Sequence, residues 1–295
     1  MLFVYQSVKR GDIITTPKIL AFALAAAVML SAGGEEVLGN PRSSFGLGSA
    51  EYLIGRNLLY SLFLDTNESS WEEAEKEEAL NRLKLAAGYI EDAAEEYQSK
   101  TELVCDWQEN TDLTGNAKVD FAINDKVDFE DRLDEEIAIW VEKKIDFEKL
   151  LEDHHANGIA LLVFVNNPGG SYAIVFDGID NPKESAILFD EEPPSVYAHE
   201  ILHVFGAHDL YSNAEYTSEV TEYVKKVYPL EIMYTVTDKN GITYDDRITN
   251  IVSPITAYHL GWIDHTEEID LFPQLERKIN EKRKGRLDNE GYRNR

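Results

Sequence analysis

Apolar residues along this chain recur in two patterns (solid runs and three-to-four spacing), and each change of pattern marks an element. The run Leu58-Leu59-Tyr60-Ser61-Leu62-Phe63-Leu64 predicts a buried strand. Ser69 and Ser70 stand three residues before Glu72 and Glu73, a doubled capping-box pattern that predicts a helix start. The helix that follows carries Leu80, Leu83, Ala87, Ile90, Ala94 and Tyr97 at spacings of three and four, a stripe that packs on a sheet. Residues 102–107 read as a returning strand, and the largely polar stretch Thr111 to Asp128 as a long loop. Phe129, Leu133, Ile137 and Trp140 share one face of a second helix ending near Val141. Ile159 to Val165 is the most β-prone run, and Asn166-Asn167-Pro168-Gly169-Gly170 is turn chemistry. Tyr172 to Phe176 and Ala186 to Phe189 continue as strands, with Pro182 in the loop between them. Pro193, Pro194 and Ser195 then open a helix whose apolar flanks are Val196, Ile201, Leu202, Val204 and Phe205.

At 295 residues and 43% hydrophobic content the chain has the material for one sizeable domain with appendages, or for two small domains. A formal charge of −27 excludes a nucleic-acid partner, because a phosphate backbone would be repelled. It fits a solvated, soluble surface. The single cysteine, Cys105, has no internal disulfide partner and sits among strand-like apolar neighbours, as a buried structural thiol does. The aspartates Asp112, Asp120, Asp125 and Asp128 match no calcium-loop pattern, and His154 and His155 read as exposed. Near the start, Lys9, Arg10 and Lys18 precede the apolar run Ile19 to Leu30, followed by Ser31-Ala32-Gly33-Gly34 and acidic Glu35-Glu36. That order predicts a secretory leader over residues 1–35 and a secreted or cell-surface protein. The alternative is an alanine-rich core helix capped by Thr16 and Pro17, in a cytoplasmic protein. Residues 273–295 form a basic polar tail, and the last twenty carry eight basic and four acidic side chains. No other segment is apolar and long enough to span a bilayer.

The chemistry is concentrated in His199-Glu200-Ile201-Leu202-His203-Val204-Phe205-Gly206-Ala207-His208-Asp209. On a helix, residues four apart share a face, so His199 and His203 can bind one tetrahedral Zn²⁺. Glu200 lies beside the first of them, placed to act on a water rather than on the metal. Gly206 can adopt the left-handed conformation that ends a helix and reverses the chain. The reversal would return Asp209 to the metal. His208 is a rival for that third position, and Glu219 or Glu222 from a later helix is another.

The pattern His-Glu-x-x-His-x-x-Gly-x-x-Asp resembles the metzincin zinc peptidases, with Asp209 where a third histidine is usual. It is similar to the snapalysins and the immune inhibitor A-like enzymes, which carry that aspartate. Ile232-Met233-Tyr234, with its methionine 24 residues past Asp209, looks like the Met-turn of that clan. Ser253 to Trp262 is similar to the helix ending in Leu-Gly-Trp that follows it in the immune inhibitor A-like group. The resemblance covers residues 195–263 and implies an α+β, metzincin-like (zincin) catalytic domain over 36–272, a twisted mixed sheet with helices and the zinc cleft below an edge strand. It further implies a zinc metalloendopeptidase that acts on protein or peptide substrates as a monomer. Zn²⁺ on His199, His203 and Asp209 would activate a water, and Glu200 would be the general base. Met233 would pack beneath the metal, and Tyr234 or Tyr211 would contact the oxyanion. A competing expectation is a non-catalytic zincin-like metal-binding protein that serves as a partner-binding module. Such a site would need a fourth protein ligand, for instance His208 or His259.

Overall fold

The structure is a computed structural model and describes residues 52–106, 110–123, 130–175, 184–211 and 217–276. The expected leader, most of the basic tail, Phe129 and Pro182 lie outside the described residues.

The organising element is the strand β1, Gly55–Asp65. It pairs along its length with β4, Gly158–Val165, in parallel from Asn57↔Gly158 to Leu64↔Val165. Its other edge is shared by β2, Thr101–Cys105, and then β3, Thr114–Lys118, both also parallel to it. Beyond β4 come β6, Ser185–Phe189, in parallel, and β5, Tyr172–Ile174, as an antiparallel edge strand. The result is a six-stranded mixed sheet with helices on both faces.

Strand side chains alternate between faces, so one strand feeds two cores. Leu58, Tyr60, Leu62 and Leu64 of β1 join Ile159, Leu161, Val163 and Val165 of β4 in one of them. There they meet Leu133, Ile137 and Val141 of α2, Glu130–Lys144, and Phe147 and Leu151 of α3, Phe147–Asp153. Leu59 and Phe63 point the other way with Leu162 and Phe164, toward α1, Glu73–Glu96, and α4, Pro194–Val204. On α1 the buried line is Ala79, Leu83, Ala87, Ile90 and Ala94, as the spacing predicts, while Leu80 and Tyr97 pack at its margin. The chain finishes with α5, Ser218–Val227, α6, Pro254–His259, and α7, Glu267–Leu271. Core packing continues past Phe272, because Leu275 is buried and its carbonyl accepts the Nε2 proton of His259.

Four local expectations change. The cap of α1 is Glu72, whose N–H bonds the Glu75 carboxylate, while Ser69 bonds Asn167 across the turn. The polar stretch after Thr111 contains β3, whose sequence Thr-Gly-Asn-Ala-Lys has no apolar alternation and is strand only because β1 offers it a free edge. The helix α3 precedes His154, with Asp146 capping it by accepting the Lys149 N–H. His154 itself is not exposed: its Nε2 lies 2.8 Å from Asp112 and its side chain is largely buried. Among the described residues, no helix is long and apolar enough to cross a membrane.

Candidate metal centre

The helix α4 opens at Pro193–Pro194, where proline costs nothing because the first-turn N–H groups have no helical partner. It is buried along its whole length between α1 and the sheet strands β5 and β6. A helix so enclosed needs few polar residues, yet it carries His199, Glu200 and His203, all within 3% of full burial. Its end is a Schellman turn: Gly206 takes φ 96, its N–H bonds the His203 carbonyl at 2.9 Å, and the Ala207 N–H bonds the Leu202 carbonyl at 3.0 Å. A side chain at Gly206 would be strained there.

That turn has two consequences for the site. It aims the Ala207 carbonyl at His203, whose Nδ1–H donates to it at 2.8 Å. It also brings Asp209, 2% exposed, back to the helix. The Nδ1–H of His199 donates to the Ile232 carbonyl at 2.9 Å. With both Nδ1 atoms protonated, neutral imidazoles present bare Nε2 lone pairs. These two Nε2 atoms stand 3.1 Å apart, and Asp209 Oδ1 lies 3.1 Å from that of His203 and 3.3 Å from that of His199. A tetrahedral zinc with Zn–N near 2.0–2.1 Å sets neighbouring ligand atoms about 3.3 Å apart. Three acceptors facing one another at such distances repel unless a proton or a metal ion lies between them, and their spacing fits a small divalent metal.

The acid–base properties agree. Burial would lower both imidazoles, but Asp209 outweighs it and each sits above the ordinary histidine value. Burial would raise Asp209, but the two imidazoles hold it well below the carboxylate range. In the metal-free chain the pocket therefore attracts protons, as it would attract a metal. His199, Glu200 and His203 offer ligand atoms all within 4.8 Å of one another. Glu200 Oε1 is buried without a hydrogen-bond partner. Burial pushes the Glu200 carboxyl up to about 8, with Asp209 adding to the rise and His199 opposing it. A nearby divalent cation would reverse that shift and make Glu200 a base at neutral pH.

The remaining sequence-selected residues fall at varied distances from this centre. Met233 is fully buried, and its carbonyl accepts the Leu210 N–H at 2.8 Å. The Ile232-Met233-Tyr234 turn therefore supports the site through backbone carbonyls, one for His199 and one for the residue after Asp209. Tyr211 hydrogen-bonds Asp209, and burial together with the charge of Asp209 pushes its phenol well above the usual value. Tyr234 is half-buried against the α1/α4 core. The His208 ring packs against that of His259, with centroids 4.9 Å apart. Glu219 and Glu222 lie on the exposed face of α5. Several buried acids escaped the sequence reading, Glu231 among them. Glu231 is 0% exposed and lies two residues before Met233.

No family model matches this chain, and no curated protein matches it. Among solved structures, it is similar to metalloproteinase-II from Bacteroides fragilis at 13% identity and a TM-score of 0.35, over 77% of this chain and 59% of that one. It is likewise similar to wild-type OgpA from Akkermansia muciniphila at 11% identity and a TM-score of 0.37, over 74% of this chain and 63% of that one. The chain thus spans less than two thirds of either structure's length.

Proposed function

We propose that this chain is a zinc metalloendopeptidase, with Zn²⁺ held by His199, His203 and Asp209. One observation carries the reading: three lone-pair atoms converge at 3.1, 3.1 and 3.3 Å while the buried Glu200 Oε1 beside them is uncommitted. Bound zinc would supply Lewis acidity toward a scissile carbonyl and an attacking water. The protein supplies the proton handling. Glu200 takes the proton of the water and delivers it to the leaving amine, which a carboxyl freed of other hydrogen bonds can do in both directions. The Ile232 and Ala207 carbonyls hold Nδ1–H of both histidines and so leave Nε2 as the atom that faces the metal. Tyr211 steadies Asp209 by its hydrogen bond.

A purely structural metal site normally closes with four protein ligands and has no use for a general base. The uncommitted Glu200 therefore favours hydrolysis over the partner-binding alternative. The test is to strip the full chain with chelator, reload it with Zn²⁺, and measure metal content and cleavage of casein or a peptide library. Cleavage that is lost with the metal and regained with it is the expected result. Zinc binding at about one equivalent without cleavage would support the non-catalytic protein instead, and no zinc binding would sink both.

A further inference from the structure

Glu231 is a buried acid that the hydrolytic mechanism does not use. Its Oε1 accepts the Thr256 hydroxyl at 2.6 Å, and the Ser253 hydroxyl and N–H at 3.4 Å each. Thr256 and Ser253 are themselves buried, and Ser253 is the residue that caps α6. Glu231 Oε2 has no hydrogen-bond partner. The surrounding backbone is tied as well. The Ile232 N–H bonds the Ile251 carbonyl and the Ile251 N–H bonds the Leu230 carbonyl, each at 2.9 Å. The peptide between Glu231 and Ile232 is thus clamped from its side chain and from its backbone. The next carbonyl along, that of Ile232, receives His199 Nδ1–H at 2.9 Å.

We propose that Glu231 is a positioning residue of the metal centre: by pinning the Met-turn to the start of α6 it fixes the Ile232 carbonyl, and through it the ring orientation and tautomer of His199. A buried, incompletely satisfied carboxyl is a costly way to join two loops, since an apolar residue of similar size would pack there without the desolvation penalty. An oxygen acceptor at this point instead registers two segments at a fixed distance, and the registered group is the one His199 needs. The inference rests on the metallopeptidase reading, because it gives His199 a metal to hold.

A simple strut and a positioning residue differ in one respect. Loss of a strut destabilises the metal-free and loaded chains alike and leaves affinity unmoved. Loss of the positioning group lowers zinc affinity itself. The experiment measures Zn²⁺ affinity of the full chain by competition with a chromophoric chelator, and the visible spectrum of the Co²⁺-loaded chain, for Glu231→Ala and Glu231→Gln. Glu231→Ala is expected to weaken zinc by about 10–100-fold, the usual effect of losing a group behind a ligand, and to alter the Co²⁺ spectrum. Glu231→Gln keeps an oxygen for Thr256 and is expected to restore most of both. Native zinc affinity and a native Co²⁺ spectrum in a folded Glu231→Ala chain would overturn the proposal. If that variant does not fold, Thr256→Val removes the shortest donor and carries the same test, with unchanged affinity again overturning it. A native chain that binds no zinc would refute the metallopeptidase reading first. A native chain that binds zinc beside an unaffected variant refutes only the role of Glu231.

Discussion

The two faces of the sheet are built from the same strands and do different work. On the α2/α3 face the buried apolar set runs from Leu58 and Leu62 to Val163 and Ile187. The α1/α4 face buries comparable apolar residues but adds His199, Glu200, His203, Asp209, Glu231, Ser253 and Thr256 in its helices and loops. Each of these polar groups forfeits hydration that only a specific partner restores. One face therefore supports the fold, and the other carries the buried polar groups of the candidate site at a cost in stability. Because alternate residues of β1 and β4 serve both, a substitution one position along the strand should change which property suffers.

The largest expected effect is on turnover. Glu200→Gln keeps the shape of the side chain and removes its basicity, so kcat should fall by about 10²–10⁴-fold while zinc content and melting temperature hold. Metal analysis beside a peptide-cleavage assay reads both quantities, and retained activity would break the assignment of Glu200. Next comes metal binding. Asp209→Ala should weaken zinc by more than the roughly 10–100-fold cost of losing a group behind the ligands, and His208→Ala by less than that. The opposite ranking in a chelator competition would move the third ligand to His208.

The matching change on the other face is Leu62→Ala. Leu62 is fully buried in the α2/α3 core, and its truncation should cost about 2–5 kcal/mol by urea unfolding. The folded fraction should still bind zinc with native affinity. A parallel loss of affinity would mean that the two faces are not separable.

What the sequence disclosed follows the same division. The candidate metal helix, its Gly206 reversal and the return of Asp209 to it were legible because the stretch is local, eleven consecutive residues whose spacing is set by helix geometry. The strands β1 and β4 were legible because both faces bury them, which leaves continuous apolar runs. By contrast, β3 was hidden because its pairing is dictated by β1 and not by its own polar residues. The environment of His154 depends on Asp112, 42 positions away, and so could not be read locally. Glu231 was missed for the same reason. A glutamate before a methionine looks like any surface acid until Thr256 and Ser253, more than twenty residues later, fold over it.

Glu231 also provides a test of whether the site-bearing face trades stability for buried charge. In the unfolded chain this carboxyl titrates at its ordinary 4.5, whereas in the fold burial raises it to about 7 against the opposing hydrogen bonds from Thr256 and Ser253. Between those two values the folded chain holds a proton that the unfolded chain has released. The associated stability is fully present below pH 4.5 and is lost as pH rises through 7, on the order of 3 kcal/mol in all. Glutamine has no proton to release, so Glu231→Gln should lack this component. Many other carboxylates titrate in the same window, but their contributions cancel when the variant is subtracted from the native chain. Urea unfolding of both metal-free proteins at pH 4.5, 6 and 8 should therefore show the native chain losing ground to the variant as pH rises, with most of the loss complete by pH 7. Parallel curves would mean that Glu231 is ionised in the fold without penalty, and that this face carries its acids at no cost to stability.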